Sequence, residues 1–286
     1  MIIDNYSEIK QEPPVDSFPY SRYAIWTTIL IMILYSVVQS AFYLFSNNFG
    51  DFNYLPIILG ASQLLVILPA TFFFNKFSPL ANSEILRLEG NPSLRQFIIA
   101  FIGIVALLFF ETGFRTIEDS IIPNQWMDYY DKLNNETYES YKNLLYIKGN
   151  FGFLLAITVG ALIPAISEEI LFRGYLQIHL EKKYSWKIAI IITGIFFGLI
   201  HLNIIQIVPL IIFGVYLAFI AYSTKSLIIP IICHFLNNLV AITALYYTPL
   251  AEIDKNSEDI PIYLAIIFVI AGLGVMALCG KMIRGK

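Results

Sequence analysis

Apolar residues in this chain fall into long blocks separated by short polar stretches, and the block lengths match the thickness of a bilayer. A spanning helix takes about 20 predominantly apolar residues. Eight blocks qualify: Tyr23–Phe45, Tyr54–Phe74, Gln96–Phe114, Gly152–Leu180, Trp186–His201, Ile205–Tyr222, Leu227–Tyr247 and Pro261–Cys279. The fourth is longer than a bilayer needs, and the fifth and sixth are short. The pattern predicts an all-α protein, a polytopic membrane helix bundle of about eight transmembrane helices. It divides into a polar tail over 1–22, helices 1–3 over 23–114, and a polar, aromatic segment over 115–150. A core of helices 4–7 follows over 151–247, then a last helix with a basic tail over 261–286.

Composition agrees. Of 286 residues, 57% are hydrophobic and 14% charged, with mean hydropathy +0.69. Soluble domains are nearer 45–50% apolar and about 25% charged. The net charge is −3 and no basic patch is long enough for nucleic acid, so no such partner is expected. The first 22 residues are polar and mixed in charge, unlike a secretory signal, so the first apolar block reads as an uncleaved span. Cys233 and Cys279 lie in apolar runs without zinc-ligand spacing and read as packing residues.

Lys and Arg mark the cytoplasmic side of a membrane protein. With the N-terminus inside, the inner segments hold Lys10, Arg22, Lys76, Arg87, Arg95, Lys182, Lys183, Lys187, Lys225, Lys281, Arg284 and Lys286, twelve in all. The outer ones hold five: Arg115, Lys132, Lys142, Lys148 and Lys255. The asymmetry places a multi-pass protein in the cell membrane with both termini cytoplasmic. The outer segment 115–150 carries Trp126, Tyr129, Tyr130, Tyr138, Tyr141 and Tyr146 among acidic residues. Rings with polar tips favour the headgroup zone. An interfacial helix or loop packed on the bundle is expected there, and a lid or substrate guide is the functional alternative.

Against this apolar background, the polar residues inside the blocks carry the chemistry. Glu168 and Glu169 are adjacent in the fourth block, with Arg173 four residues after the second. Ionisable residues at membrane depth are costly and mark functional sites. On a helix Glu169 and Arg173 are neighbours in the favourable order, whereas Glu168 points about 100° away and is left without that partner. The pair can be architectural; Glu168 is free to face a cavity. The fifth block ends with Phe197 and His201 on one face, after a Gly194-xxx-Gly198 ridge that allows close helix packing. The seventh places His234 and Asn238 one turn apart. His179, beside Glu181 and Lys182, reads as interfacial and without a catalytic role.

Counting from the turns at 181–185 and near Lys225, Glu168, His201 and Asn238 each lie roughly 20 Å up their helices, with His234 one turn lower. Four groups from three helices can therefore meet in one layer. A carboxylate in an apolar setting holds protons more tightly, which suits a general base, and a histidine beside it can share the activation of water. A second histidine and an asparagine amide can donate to a developing oxyanion. That set supports amide hydrolysis. Alternatively Glu168, His201 and His234 could bind zinc, which would acidify the water.

Glu168-Glu169-x-x-x-Arg173, Phe197-x-x-x-His201 and His234-x-x-x-Asn238, in that order on apolar helices, resemble the three-motif signature of the CPBP family of CAAX proteases and bacteriocin-processing enzymes, also called Abi. Its eukaryotic members include the type II CAAX prenyl endopeptidase. The resemblance covers about Gly152–Tyr247. It implies an intramembrane endopeptidase acting on a membrane-embedded or lipidated protein or peptide, including prenylated CAAX-type ones. By analogy Glu168 and His201 would activate water, His234 and Asn238 would form the oxyanion site, and Glu169, Arg173 and Phe197 would support it. The family is often labelled metalloendopeptidase, and a metal-free glutamate mechanism is the other standing view. Some relatives serve bacteriocin immunity or act as scaffolds, so a non-catalytic protein of that kind is the alternative. A transporter with a carboxylate relay is a further rival, though no repeat symmetry supports it.

Overall fold

The structure, a computed structural model, describes residues 18–46, 55–247 and 260–284. Expectations for residues 1–17, for 47–54 (where the second block is expected to begin at Tyr54), for the 248–259 connection and for the last two residues lie outside the described residues. Within them the chain is helical, with no strand. Among the described residues seven helices are long and apolar enough to cross a membrane. They are α1 (Tyr20–Phe42 of a helix that runs Tyr20–Ser46), α2 (Leu55–Asn75), α4 (Leu94–Ile121), α6 (Asn150–Glu181), α8 (Ile207–Thr224), α9 (Ile228–Tyr247) and α10 (Ile262–Arg284). The apolar α7 (Trp186–Ile200) is shorter. Two helices lie outside this set: α3 (Asn82–Ile85), and α5 (Asn124–Leu145) inside the polar segment. The protein is a multi-pass helical membrane bundle.

Successive helices run up and down, and contacts between connections show it. At one end, here the basic end, Arg87 pairs with Glu181, Arg284 stacks on Trp186, and the Gln96 amide donates to the Ile283 carbonyl. At the other, the aromatic end, the Tyr246 hydroxyl donates to the Leu145 carbonyl and accepts from the Ile147 amide. The 115–150 segment is therefore ordered. Helix α4 runs past Phe114 to Ile121, beyond the apolar block, because nothing stops it before Pro123. There the chain turns into α5, and the Tyr130 hydroxyl closes the corner on Glu118 at 2.9 Å. Burial and this carboxylate raise the Tyr130 hydroxyl above the usual tyrosine range. Trp126 and Tyr129 remain 56% and 57% exposed on α5.

Three wide π turns interrupt the spanning helices: 63–67 in α2, and 158–162 and 170–176 in α6. Two have a local cause. Pro69 and Pro164 follow closely, and a proline removes one backbone donor and pushes its ring against the carbonyl four residues back. Helix α6 thus reaches Glu168 and Glu169 through a proline-broken stretch, and Arg173 sits inside the third π turn. Single π turns concentrate at functional sites.

The α7–α8 hairpin is packed backbone to backbone. A Cβ at Gly194 would lie 2.7 Å from the Val215 amide nitrogen, and one at Gly198 2.9 Å from that of Ile211, so only glycine fits at either place. With 15 residues, α7 is about 22 Å long, less than the roughly 30 Å hydrocarbon core. The turn that begins at His201 therefore falls short of a full crossing.

Candidate active site

The centre of the site is Glu169. It is fully buried, and its Oε1 accepts from Arg173 Nη1 at 2.6 Å and from His234 Nδ1 at 2.8 Å. The i,i+4 spacing places the arginine, and α9 brings the histidine. Arg173, also fully buried, spends a second nitrogen on the Gly214 carbonyl of α8 at 3.2 Å. Its guanidinium lies 4.3 Å over the Phe197 ring. Phe197 touches almost every member of the site, with Phe172, His201, Phe213 and His234 rings all 4.8–5.8 Å away, centroid to centroid. Cation–π contact of this kind is worth about 2 kcal/mol when desolvated. The pair and the aromatic ring form a rigid floor.

Glu168 rises from that floor. Its side chain is 14% exposed, and Oε2 faces two imidazole nitrogens: His201 Nε2 at 3.9 Å and His234 Nε2 at 4.0 Å. Both rings are oriented from behind. His201 Nδ1 is 2.6 Å from the Phe197 carbonyl, which only accepts, so Nδ1 carries the hydrogen. His234 Nδ1 is likewise held by the Glu169 carboxylate. In their neutral forms both rings therefore present an Nε2 lone pair to Glu168. Buried polar atoms are normally satisfied. Here Glu168 Oε2, Glu169 Oε2, Arg173 Nε and Gln63 Oε1 are buried without a hydrogen-bond partner among the described residues. Each such atom costs about 1–3 kcal/mol, a cluster that stability alone does not justify.

The structure brings Glu168, Glu169, Arg173, Phe197, His201 and His234 together. Asn238 stands one turn further along α9, where its amide donates to the Gly160 carbonyl at 3.4 Å, and no hydrogen bond joins it to the two imidazoles or the carboxylates. The reason is local. Pro164 has no N–H to bond the carbonyl four residues back, so the Gly160 carbonyl is left open for a side chain from α9. An amide has two hydrogens, and this contact uses one of them.

His179 is placed differently from the sequence expectation. It is fully buried rather than interfacial: Nδ1 lies 2.7 Å from the Tyr175 carbonyl, Nε2 lies 2.9 Å from Ser78 Oγ, and the Tyr20, Tyr23 and Tyr175 rings surround it. It belongs to the packing of the basic end. Glu181 there binds Arg87 at 2.9 Å and Gln177 at 2.7 Å, and Arg87 Nε donates to the Arg173 carbonyl at 3.0 Å.

Sequence reasoning missed three neighbours of Glu168. Gln63 of α2 donates through Nε2 to Glu168 Oε1 at 3.4 Å. Tyr35 of α1 brings its hydroxyl to Gln63 and Ser62 within the field of Glu168. Tyr141 of α5, 43% exposed, lies beside Asn203, in the turn after His201, and within the field of Glu168. Gln63 was detectable, since an amide in an otherwise apolar span needs a partner.

A carboxylate and two imidazoles are a zinc-like donor set. Tetrahedral zinc with bonds near 2.1 Å holds its donors roughly 3.4 Å apart. The separations here are 3.9 and 4.0 Å, and among the described residues no group of three or more His, Cys, Asp or Glu is placed to share an ion. The set as placed does not fit zinc.

Comparison with curated proteins returns no match. Residues 150–240 match the family model described as Type II CAAX prenyl endopeptidase Rce1-like. That stretch contains both glutamates, the arginine, both site histidines and Asn238, and it excludes α1, α2 and α5. Through this segment the chain is similar to the Rce1-like CAAX prenyl endopeptidases.

Proposed function

We propose that the protein is an endopeptidase that hydrolyses a peptide bond of a membrane-anchored protein or peptide, including prenylated CAAX-type ones, beside or within the bilayer. The observation that carries this reading is the convergence of Glu168 Oε2 with two back-oriented Nε2 atoms at 3.9 and 4.0 Å. These gaps are too long for direct hydrogen bonds and suit one shared water about 2.8 Å from each atom.

In this mechanism Glu168 takes a proton from the water while His201 Nε2 holds its other hydrogen, and the water oxygen attacks the scissile carbonyl carbon. The oxygen of the tetrahedral intermediate takes up negative charge. His234, its Nδ1–H held by Glu169, carries a proton on Nε2 and donates toward that oxygen. The second amide hydrogen of Asn238 is the other donor. Glu168 then passes its proton to the leaving nitrogen, the C–N bond breaks, and a carboxylic acid and an amine leave. Glu169, Arg173 and Phe197 touch no reacting atom; they hold His234 and the α6 backbone in place.

Purified protein is to be tested on prenylated and unprenylated membrane peptides, with Glu168→Ala as the paired control and a chelator arm in parallel. Cleavage by the wild type that is lost in Glu168→Ala supports the reading; cleavage retained by Glu168→Ala refutes it. Cleavage that survives chelation supports the water mechanism. A well-folded wild type inert on every peptide points to the immunity or scaffold alternative.

A further inference from the structure

Glu168 is the one acidic group at the site that no arginine holds, yet its side chain must keep a fixed rotamer to face both imidazoles. Glu169 has Arg173 and His234; Glu168 has a single hydrogen-bond donor among the described residues, Gln63 Nε2, on Oε1. Gln63 is 5% exposed and opens the π turn of α2 that precedes Pro69. The proline therefore shapes the turn that points this amide at α6. The amide cannot be reversed, because that would set its oxygen against a carboxylate oxygen. Its own oxygen stays buried without a hydrogen-bond partner, with the Tyr35 hydroxyl nearby. A buried amide with one half unsatisfied is an expensive choice in a span where leucine would pack. Gln63 also lies outside the 150–240 segment that carries the family likeness, so nothing in that likeness assigns it a role.

We infer that Gln63 is the positioning residue of Glu168: by donating to Oε1 it fixes the carboxylate plane so that Oε2 stands between His201 and His234. Helix α2 is thereby part of the working site. The inference rests on the protease reading for its kinetic consequence, but the contact itself is open to measurement without turnover.

The variant is Gln63→Met, which keeps length and volume and removes the donor. Infrared difference spectra identify the Glu168 carboxyl bands by their loss in Glu168→Gln, and the same bands are then followed in Gln63→Met. They are expected to move, and unmoved bands overturn the inference whether or not the protein cleaves anything. With an active wild type, kcat is expected to fall about 10- to 100-fold in Gln63→Met, with KM within about twofold. An unchanged kcat, or a loss confined to KM, overturns it. If the bands move while the wild type cleaves no peptide, the positioning contact stands and the protease reading falls. Should Gln63→Met fail to fold, Gln63→Glu, of the same shape, is read against the same bands.

Discussion

Replacing Arg173 by methionine isolates the buried ion pair beneath the site. The substitution removes the 2.6 Å contact to Glu169, the 3.2 Å bond to the Gly214 carbonyl and the guanidinium over Phe197, while the thioether keeps much of the volume. Glu169 is then left fully buried with His234 as its only donor among the described residues. Breaking a buried pair from one side costs about 3–5 kcal/mol, because the remaining charge has no compensation. Against a total stability of roughly 5–15 kcal/mol, that is a large fraction. Neutralising the partner as well, in Arg173→Met with Glu169→Gln, removes the stranded charge and should recover about half the loss. Reversible unfolding in mixed micelles measures all four proteins of the double-mutant cycle. A coupling of about 1.5 kcal/mol or more is expected for groups in direct contact. Additive losses would refute the view that the pair is one electrostatic unit, and an undisturbed single mutant would refute the pairing.

Other expectations follow from neighbouring contacts. Glu168→Gln keeps shape and removes the base, so cleavage should fall by about 10²–10⁴-fold with normal folded yield, read by turnover and size-exclusion profile together. His179→Ala removes the ring's contacts to the Tyr175 carbonyl and to Ser78 Oγ, which keeps the Leu80 amide; unfolding should show a loss of about 1–3 kcal/mol, with turnover per folded molecule unchanged. Gly198→Val drives a side chain into the Ile211 backbone and pushes α7, which ends one residue before His201, away from α8. It should lose stability by about 1–3 kcal/mol and lose turnover as well; a silent variant would mean that the hairpin does not set the position of His201.

The helix pattern was legible in the chain because block length and bilayer thickness are both one-dimensional quantities. Among the described residues the eight apolar blocks became seven helices long enough to span and the shorter α7, with ends shifted by a few residues except where α4 continues to Ile121 and α10 to Arg284. The Glu169–Arg173 pair was legible for the same reason: four residues on a helix are one turn, whatever surrounds it. The proline positions were legible too, although not the π turns built around them.

Contacts between helices were decided by the tertiary structure alone, since they depend on tilt, rotation about each axis and local widening of the turns. Counting residues placed Asn238 in the same layer as Glu168 and His234 one turn lower; the packed α6 and α9 bring His234 onto Glu169 and carry Asn238 to the Gly160 carbonyl opened by Pro164. Packing likewise buried His179, which its charged neighbours marked as interfacial, and aimed Gln63 at Glu168 across two helices. By itself the sequence determined that this is a helical membrane protein with carboxylates and histidines at membrane depth. Only the folded bundle decided which atoms of those residues face one another, because a helix rotated by one residue, about 100°, presents a different side chain to the same neighbour.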